Sequence, residues 1–378
     1  MPDPAEPPRH LLHVFSTFAV GGPQTRLVTL ANALQRRYRH TILAMDGNYA
    51  AAEGLTKDLD IAIATMPVVK TASISLANVR HARRLLREVR PDLLLTYNWG
   101  TIEWSLANWP RRLARHIHGE DGFGPDETAT RQNWRRVAMR RLLLAPCERV
   151  VVPSHVLHDL ATRRWRLPES RVLLLPNGID CDRFSRAPDP DLVGALGLGD
   201  AGPVVGTVSA LRREKNLKRL IRVFAALPRD VGARLVIVGD GPERAALADE
   251  AARTGVGDRV IMSGALANPE RILARFDVFA LTSDTEQMPN SVLEAMAAGR
   301  AIVATDVGDI KRMVAPENAP FIVPIEPEAR LTETLLRLLR DDGSRARIGA
   351  ENERHVRSHY RLETMVERYA ALYSGCGR

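Results

Sequence analysis

Cysteine is scarce in this chain of 378 residues: Cys147, Cys181 and Cys376 are the only three, at spacings that suit no metal cluster. A disulfide framework or zinc knot is thereby excluded, and a reducing compartment, the cytoplasm, is expected. Aromatic residues are only 5% of the sequence, and no recognised nucleic-acid-binding module occurs, which argues against a basic nucleic-acid-binding protein. Long apolar runs are missing too: none approaches the roughly 18 consecutive residues that a membrane-spanning helix needs. The opening MPDPAEPPRH has no apolar stretch of the secretory kind, so residues 1–10 read as a short disordered tail and export is not expected.

Hydrophobic content of 45% and charge of 26% are ordinary for a globular chain. The length exceeds one typical core and suits two α/β domains. The net charge of +8 is unevenly spread: residues 1–180 hold 25 Lys/Arg against 17 Asp/Glu, whereas residues 181–378 hold 28 of each. Either the first half meets something anionic, such as a membrane surface or a phosphate-bearing acceptor, or it simply carries an Arg-rich solvated surface.

Short β-branched runs fall at 11–17, 40–45, 61–65, 92–98, 114–119, 149–154 and 172–177, then at 203–209, 234–240, 259–264, 277–283, 301–306 and 320–324. They alternate with helical patterns, which predicts two doubly wound parallel sheets. Residues 177–202, rich in Pro, Gly and Asp, read as the connection between them. Ligands bind outside the carboxyl ends of such strands, so the two sheets are expected to face each other across a cleft. The last segment, 358–378, has apolar residues at helical spacing and suits packing back on the first domain.

The densest chemistry lies in TSDTEQMPNSVLEAMAAG, 282–299. A strand here feeds a turn and then a helix whose first N–H groups and positive dipole end suit phosphate, with Asn290 or Ser291 as a cap. Glu286 and Glu294 flank that start, and carboxylates accept paired hydrogen bonds from diols. Surface acids are also favoured at any helix start, so the two glutamates alone decide nothing. Diphosphate and diol recognition side by side describe a nucleotide sugar.

Glu286, Pro289, Asn290, Glu294, Ala295, Met296 and Gly299, followed by AIVATDVGDI, resemble the E-x7-E region of the retaining GT-B glycosyltransferases of family 4. The resemblance continues through GGPQTR, IHGEDG, PNGID, LRREKN and GDGPER, nearly the whole chain. It implies an α/β GT-B fold of two Rossmann-like domains, with 11–180 binding the acceptor and 181–357 the nucleotide-sugar donor. It also implies that Glu286 contacts sugar hydroxyls, Glu294 ribose hydroxyls, and the backbone from Met288 through Pro289 and Asn290 to Ser291 the diphosphate. Lys215 matches the family's lysine for the leaving diphosphate. The arginine expected five residues earlier is replaced by Ala210, which leaves Arg212 or Arg213 to supply the second charge.

By the same resemblance His118 lies near the reacting sugar, although a histidine ending an apolar strand is often structural. Gly21 and Gly22 cover the donor phosphates or flank the acceptor, with Arg26 just inside the following helix; the alternative is a plain tight turn. Glu120 and Asp121 are acceptor contacts or ordinary loop acids, and Gly241 lines the nucleotide pocket. The D-x-D strings at 180–182 and 189–191 look like metal motifs, but they sit in the connection and GT-B enzymes usually need no metal, so neither metal nor cofactor is expected.

Segment 131–147 reads as a basic amphipathic helix in which Trp134, Arg135, Arg136, Arg140 and Arg141 either lie on anionic lipid headgroups or form a solvated face over a core-facing stripe. The activity implied is hexosyl transfer with retention, from a UDP-sugar in preference to a GDP-sugar, to a glycan or lipid-linked acceptor. Cell-envelope polysaccharide, lipopolysaccharide or glycolipid synthesis is the expected setting, at the inner face of the cytoplasmic membrane. A sugar-nucleotide 2-epimerase shares the architecture and stands as the alternative; it would consume donor without acceptor.

Overall fold

The computed structural model describes residues 8–69, 74–123, 127–199 and 202–375. Cys376, the first seven residues of the expected tail and positions 200–201 of the expected connection lie outside the described residues. The chain divides into two compact units, one formed by Met1–Pro176 with Met365–Arg378, the other by Asn177–Thr364.

In the first unit, strands β1 (Arg9–Phe15), β2 (Tyr38–Ala44), β3 (Ile61–Ile63), β4 (Leu93–Tyr97), β5 (Arg115–Gly119), β6 (Arg149–Val152) and β7 (Val172–Leu174) form one sheet in the order β3-β2-β1-β4-β5-β6-β7. Every pairing is parallel. The central strand β4, LLLTY, is buried throughout, as a strand covered on both faces must be. The order reverses between β1 and β4, so the loops leaving those two strands diverge and open a crevice at their carboxyl ends.

The second unit repeats the plan with β8 (Val204–Val208), β9 (Arg234–Val238), β10 (Val260–Gly264), β11 (Val278–Leu281), β12 (Ala301–Thr305) and β13 (Ile322–Val323), ordered β10-β9-β8-β11-β12-β13 and parallel throughout. Its reversal falls between β8 and β11. One face of the sheet packs against the Asn290–Ala297 helix through Val292, Leu293 and Met296, the other against Leu220 and Phe224 of the Leu217–Ala225 helix.

The expected connection is corrected by this architecture. The division falls after Pro176, and residues 181–184 and 190–195 form short helices whose Cys181, Phe184, Leu192 and Val193 pack on the second unit's core. Apolar residues hidden among Pro, Gly and Asp make the segment part of the domain. The final helix, Leu362–Ser374, gives the residues from Met365 onward to the first unit, where Tyr373 meets Tyr38 edge-on at 5.7 Å and Arg9 Nη1 donates to the Ser374 carbonyl at 2.6 Å.

Candidate active site

At the strand-order reversal of the second unit, the loop after β8 carries Lys215 and the loop after β11 carries Glu286. The two are sewn together by hydrogen bonds that do not involve the pair itself. The Asp284 N–H donates to the Glu214 carbonyl at 2.9 Å, and the Thr282 hydroxyl donates to the Asn216 carbonyl at 3.1 Å. Arg219, buried under the strand end, donates through Nη1 to the Thr282 carbonyl at 2.9 Å and to Asp284 at 2.7 Å. With the loops fixed, Lys215 Nζ reaches Glu286 Oε1 at 2.5 Å, and the Ser283 hydroxyl donates to the same oxygen at 2.7 Å. The two partners stand 71 positions apart in the sequence.

Behind Glu286, Gly308 has φ +58°, and a Cβ there would stand 2.5 Å from the Glu286 carbonyl oxygen. Any side chain at 308 would push the glutamate's loop away, so glycine is required both for the conformation and for the close approach. Gly241 serves a similar end on the other side. At φ +156°, with a Cβ position 2.6 Å from the Leu211 carbonyl, it packs the loop after β9 onto the loop after β8.

The Asn290–Ala297 helix begins at Pro289 and has no side-chain cap. This corrects the expectation that Asn290 or Ser291 caps it: the Asn290 side-chain oxygen instead accepts from Asn177 Nδ2 at 2.9 Å, while the same nitrogen reaches the Met288 carbonyl at 3.3 Å. Pro289 has no N–H, so it shapes the turn and cannot itself donate. Asn290 and Ser291 are left as the amides that open an uncapped helix start, an arrangement that favours an anion.

One turn on, Glu294 sits near the Arg183–Glu270 pair, whose two bonds are both 3.0 Å long. Burial, with Glu270 adding to it and Arg183 opposing, raises the Glu294 carboxyl to about 7. A diol can donate two hydrogen bonds only to the ionised form, so the competent fraction falls as pH drops through 7. Affinity for a ligand that donates through a pair of hydroxyls to this carboxylate is therefore expected to fall up to about tenfold between pH 8 and pH 6. Calorimetric titration at the two values checks this, and Glu294→Gln should flatten the difference.

Arg212 and Arg213 line a cavity of about 440 Å³ together with Lys218 and Asn216, and neither Lys215 nor Glu286 belongs to its lining. The same cavity takes Asp284 from the loop that carries Glu286. Gly21 caps the Gly22–Leu34 helix and Gly22 opens it; a Cβ at Gly22 would meet nothing within 4 Å, and at Gly21 the flexible end of Gln24, with the Ala19 carbonyl at an ordinary 4.0 Å, so packing does not demand glycine at either place.

The first-unit residues require correction. His118 on β5 is fully buried, with Nδ1 2.8 Å from the Thr96 hydroxyl and Nε2 3.2 Å from Glu120. Both ring nitrogens are engaged within the protein, so His118 is placed to position neighbours and not to touch a reacting sugar. Glu120 is equally buried, 3.5 Å from Arg140. Asp121 and Arg26, read as acceptor contacts, grip each other with two bonds of 2.5 and 2.8 Å, and Arg26 lies 5.8 Å from the Tyr369 ring. Their charges are spent tying the first helix and the last helix to the loop after β5.

The basic helix Trp134–Leu144 is also corrected. Arg140 points inward, fully buried, pairing with Glu127 at 3.0 Å and lying 5.0 Å from the Trp165 ring and 5.1 Å from Trp99. Arg136 pairs with Glu127 at 3.4 Å. The exposed face carries Trp134, Arg135, Ala138, Arg141 and Leu142, so two large apolar side chains look outward, Trp134 72% exposed and Leu142 67%. Among the described residues no helix is long and apolar enough to cross a membrane. The D-x-D aspartates have structural work: Asp180 and Asp189 cap short helices, Asp182 pairs with Arg357 at 2.7 Å, and Asp189 pairs with Arg271. Sequence reasoning missed Arg219, Asp284, Arg183, Glu270 and Glu127, because each acts through a partner well removed in the chain, and it missed Ser283, whose hydroxyl reaches across one turn to Glu286.

Comparison with known proteins accounts for both units. Residues 20–183 match the model of Glycosyltransferase Family 4, and residues 191–355 match that of Glycosyl transferases group 1. The N-acetyl-alpha-D-glucosaminyl L-malate synthase of Bacillus anthracis is 24% identical over 238 residues, a stretch covering 62% of this chain and 62% of that enzyme's length. The 2-deoxystreptamine N-acetyl-D-glucosaminyltransferase of Streptomyces fradiae is 26% identical over 306 residues, 74% of this chain and 72% of that one. Among solved structures, HepE of Anabaena in complex with UDP superimposes with a TM-score of 0.80 at 18% identity, covering 97% of this chain and 100% of that chain, a likeness of fold. Two adjoining family matches that between them take in every strand but β1, on a backbone shared over 97% of the chain with such a neighbour, mean that the chain belongs to the glycosyltransferases of family 4, group 1 type, with the GT-B fold.

Proposed function

We propose that this chain is a retaining hexosyltransferase that moves a sugar from a nucleotide diphosphate sugar, UDP-linked in preference to GDP-linked, to a hydroxyl of a glycan or lipid-linked acceptor. The observation that carries the reading is the Lys215–Glu286 contact at the second unit's strand-order reversal. The uncapped helix start, Asn290, follows four residues after Glu286.

In the resting protein the lysine's charge rests on the glutamate. An arriving donor offers each a better partner: its diphosphate oxygens take Lys215 and the amides of Asn290 and Ser291, while its sugar hydroxyls donate to Glu286 and its ribose hydroxyls to Glu294. Transfer then runs by front-face displacement. The acceptor oxygen bonds to the anomeric carbon as the bond to the diphosphate breaks on the same face, and the departing phosphate oxygen takes the acceptor's proton. Lys215 and the helix amides stabilise the charge that develops on the leaving group, and positioning does the rest. No metal or cofactor enters this scheme.

A panel of nucleotide sugars screened by thermal shift, followed by transfer assays on those that stabilise, tests the reading. Stabilisation by none of them would refute it, and donor turnover to an epimer without acceptor would favour the epimerase.

We place the enzyme at the inner face of the cytoplasmic membrane, in assembly of an envelope glycan or glycolipid. Support comes from the outward Trp134, Arg135, Arg141 and Leu142, since apolar tips flanked by arginines suit an anionic interface at about 1 kcal/mol per basic residue. Flotation with anionic liposomes should show at least about tenfold weaker binding when Arg135 and Arg141 are both changed to Glu. Unchanged flotation would remove the membrane contact.

A further inference from the structure

We infer that the acceptor carries an amino group and that a small acidic cavity in the first unit receives it as the ammonium; this rests on the transferase reading above. The cavity, of about 230 Å³, lies at the strand-order reversal between β1 and β4, the position that corresponds in the first sheet to Lys215–Glu286 in the second. Its lining draws Ser16 from the end of β1, Asp46 from the end of β2, and Gly100 and Glu103 from the segment after β4. A Cβ on Gly100 would collide with the Ser16 hydroxyl, so the glycine lets the segments leaving β1 and β4 approach at this end of the cavity.

Glu103 makes the cavity a site. It is only 8% exposed, Oε1 accepts the Ser75 N–H at 2.5 Å, and Oε2 has no hydrogen-bond partner among the described residues. A buried carboxylate oxygen is costly to leave unmatched, and a ligand donor entering the cavity would match it. Asp46 brings a second carboxylate, exposed, with one oxygen accepting the Asn48 N–H at 2.9 Å. Asn78, also in the lining, is spent at both ends on the Val69 backbone, at 2.8 and 3.0 Å.

Among the described residues of the lining none is basic, although the first half of the chain has a cationic excess. Two carboxylates, with no counter-charge among the described residues of the lining, in a concave site with apolar walls from Val68 and Val69, focus a negative potential. An ammonium answers it with a charge and three donors; a hydroxyl offers one donor and no charge. The volume equals that of about eight waters, which suits a single ring. The ligand class is therefore an amino sugar or aminocyclitol, held by its amine while a hydroxyl remains to accept the transferred sugar.

The test titrates the full chain, with and without saturating UDP, with 2-deoxystreptamine and with scyllo-inositol, a ring of like size bearing hydroxyls alone. The amine should bind at least tenfold more tightly, and Glu103→Gln should lower its affinity about tenfold while leaving the polyol's unchanged. Asp46→Asn, at an exposed position where folding is not at stake, should weaken the amine in the same direction. Equal affinity for the two rings, no binding of the amine, or indifference to both substitutions would overturn the inference. Selective amine binding without any UDP binding would support the cavity's role and remove the donor reading instead.

Discussion

Glu286→Ala is expected to lower the rate of sugar transfer on the order of 10² to 10³-fold while leaving the protein folded. The magnitude follows from what the carboxylate holds. It accepts from Lys215 and Ser283 at one oxygen in the resting state, and in the proposed complex it would fix the transferred sugar in line with the acceptor. Its loss removes that alignment and releases the lysine that the leaving diphosphate needs. The fold should survive because Arg219, Asp284, Thr282 and Asn216 hold the two loops independently of it. Initial rates with a donor chosen by thermal shift check this, with the unfolding midpoint as control; near-normal turnover would refute the site.

Arg140→Met is expected to destabilise the first unit by about 3–5 kcal/mol. Arg140 is a fully buried cation between Glu127, at 3.0 Å, and Glu120, at 3.5 Å, with the rings of Trp99 and Trp165 about it. Removing it takes the buried cation from between two interior carboxylates, leaving Glu127 with Arg136 and the Asn133 N–H and Glu120 with His118. The cost arises from the unmatched charges and not from lost volume, so adding Glu127→Gln and Glu120→Gln to the same variant should recover much of it. All five tryptophans lie between residues 99 and 165, so intrinsic fluorescence during denaturant unfolding reads the first unit alone. A shift below about 1 kcal/mol would mean that the network contributes little.

The two sheets were legible because parallel strands are apolar on both faces. Each of the thirteen β-branched runs contains an observed strand or overlaps one, with drift at the ends. The run at 320–324 shortens to Ile322–Val323 because a tight turn takes Ala319–Phe321, and the run at 172–177 stops at Leu174. The motif around Glu286 carried the donor half of the site, since its chemistry is local: a strand, a turn and a helix start.

What the sequence hid is pairing at a distance. Arg136 and Arg140, four residues apart, do share a face as helical geometry requires, but that face is turned inward by Glu127, which sits in a loop where no periodicity betrays it. Likewise Arg26 and Asp121 stand 95 residues apart and neutralise each other. Polar residues reveal their partners only once the chain has folded.

Binding of the nucleotide itself bears most directly on the central claim. Calorimetric titration with the nucleotide sugar that stabilises best should give saturable binding to the wild-type chain. Lys215→Ala should weaken it about ten- to hundred-fold, the value of a charge-assisted phosphate contact. Equal affinity for the wild type and Lys215→Ala would contradict the placement of the donor diphosphate at the second unit's strand reversal.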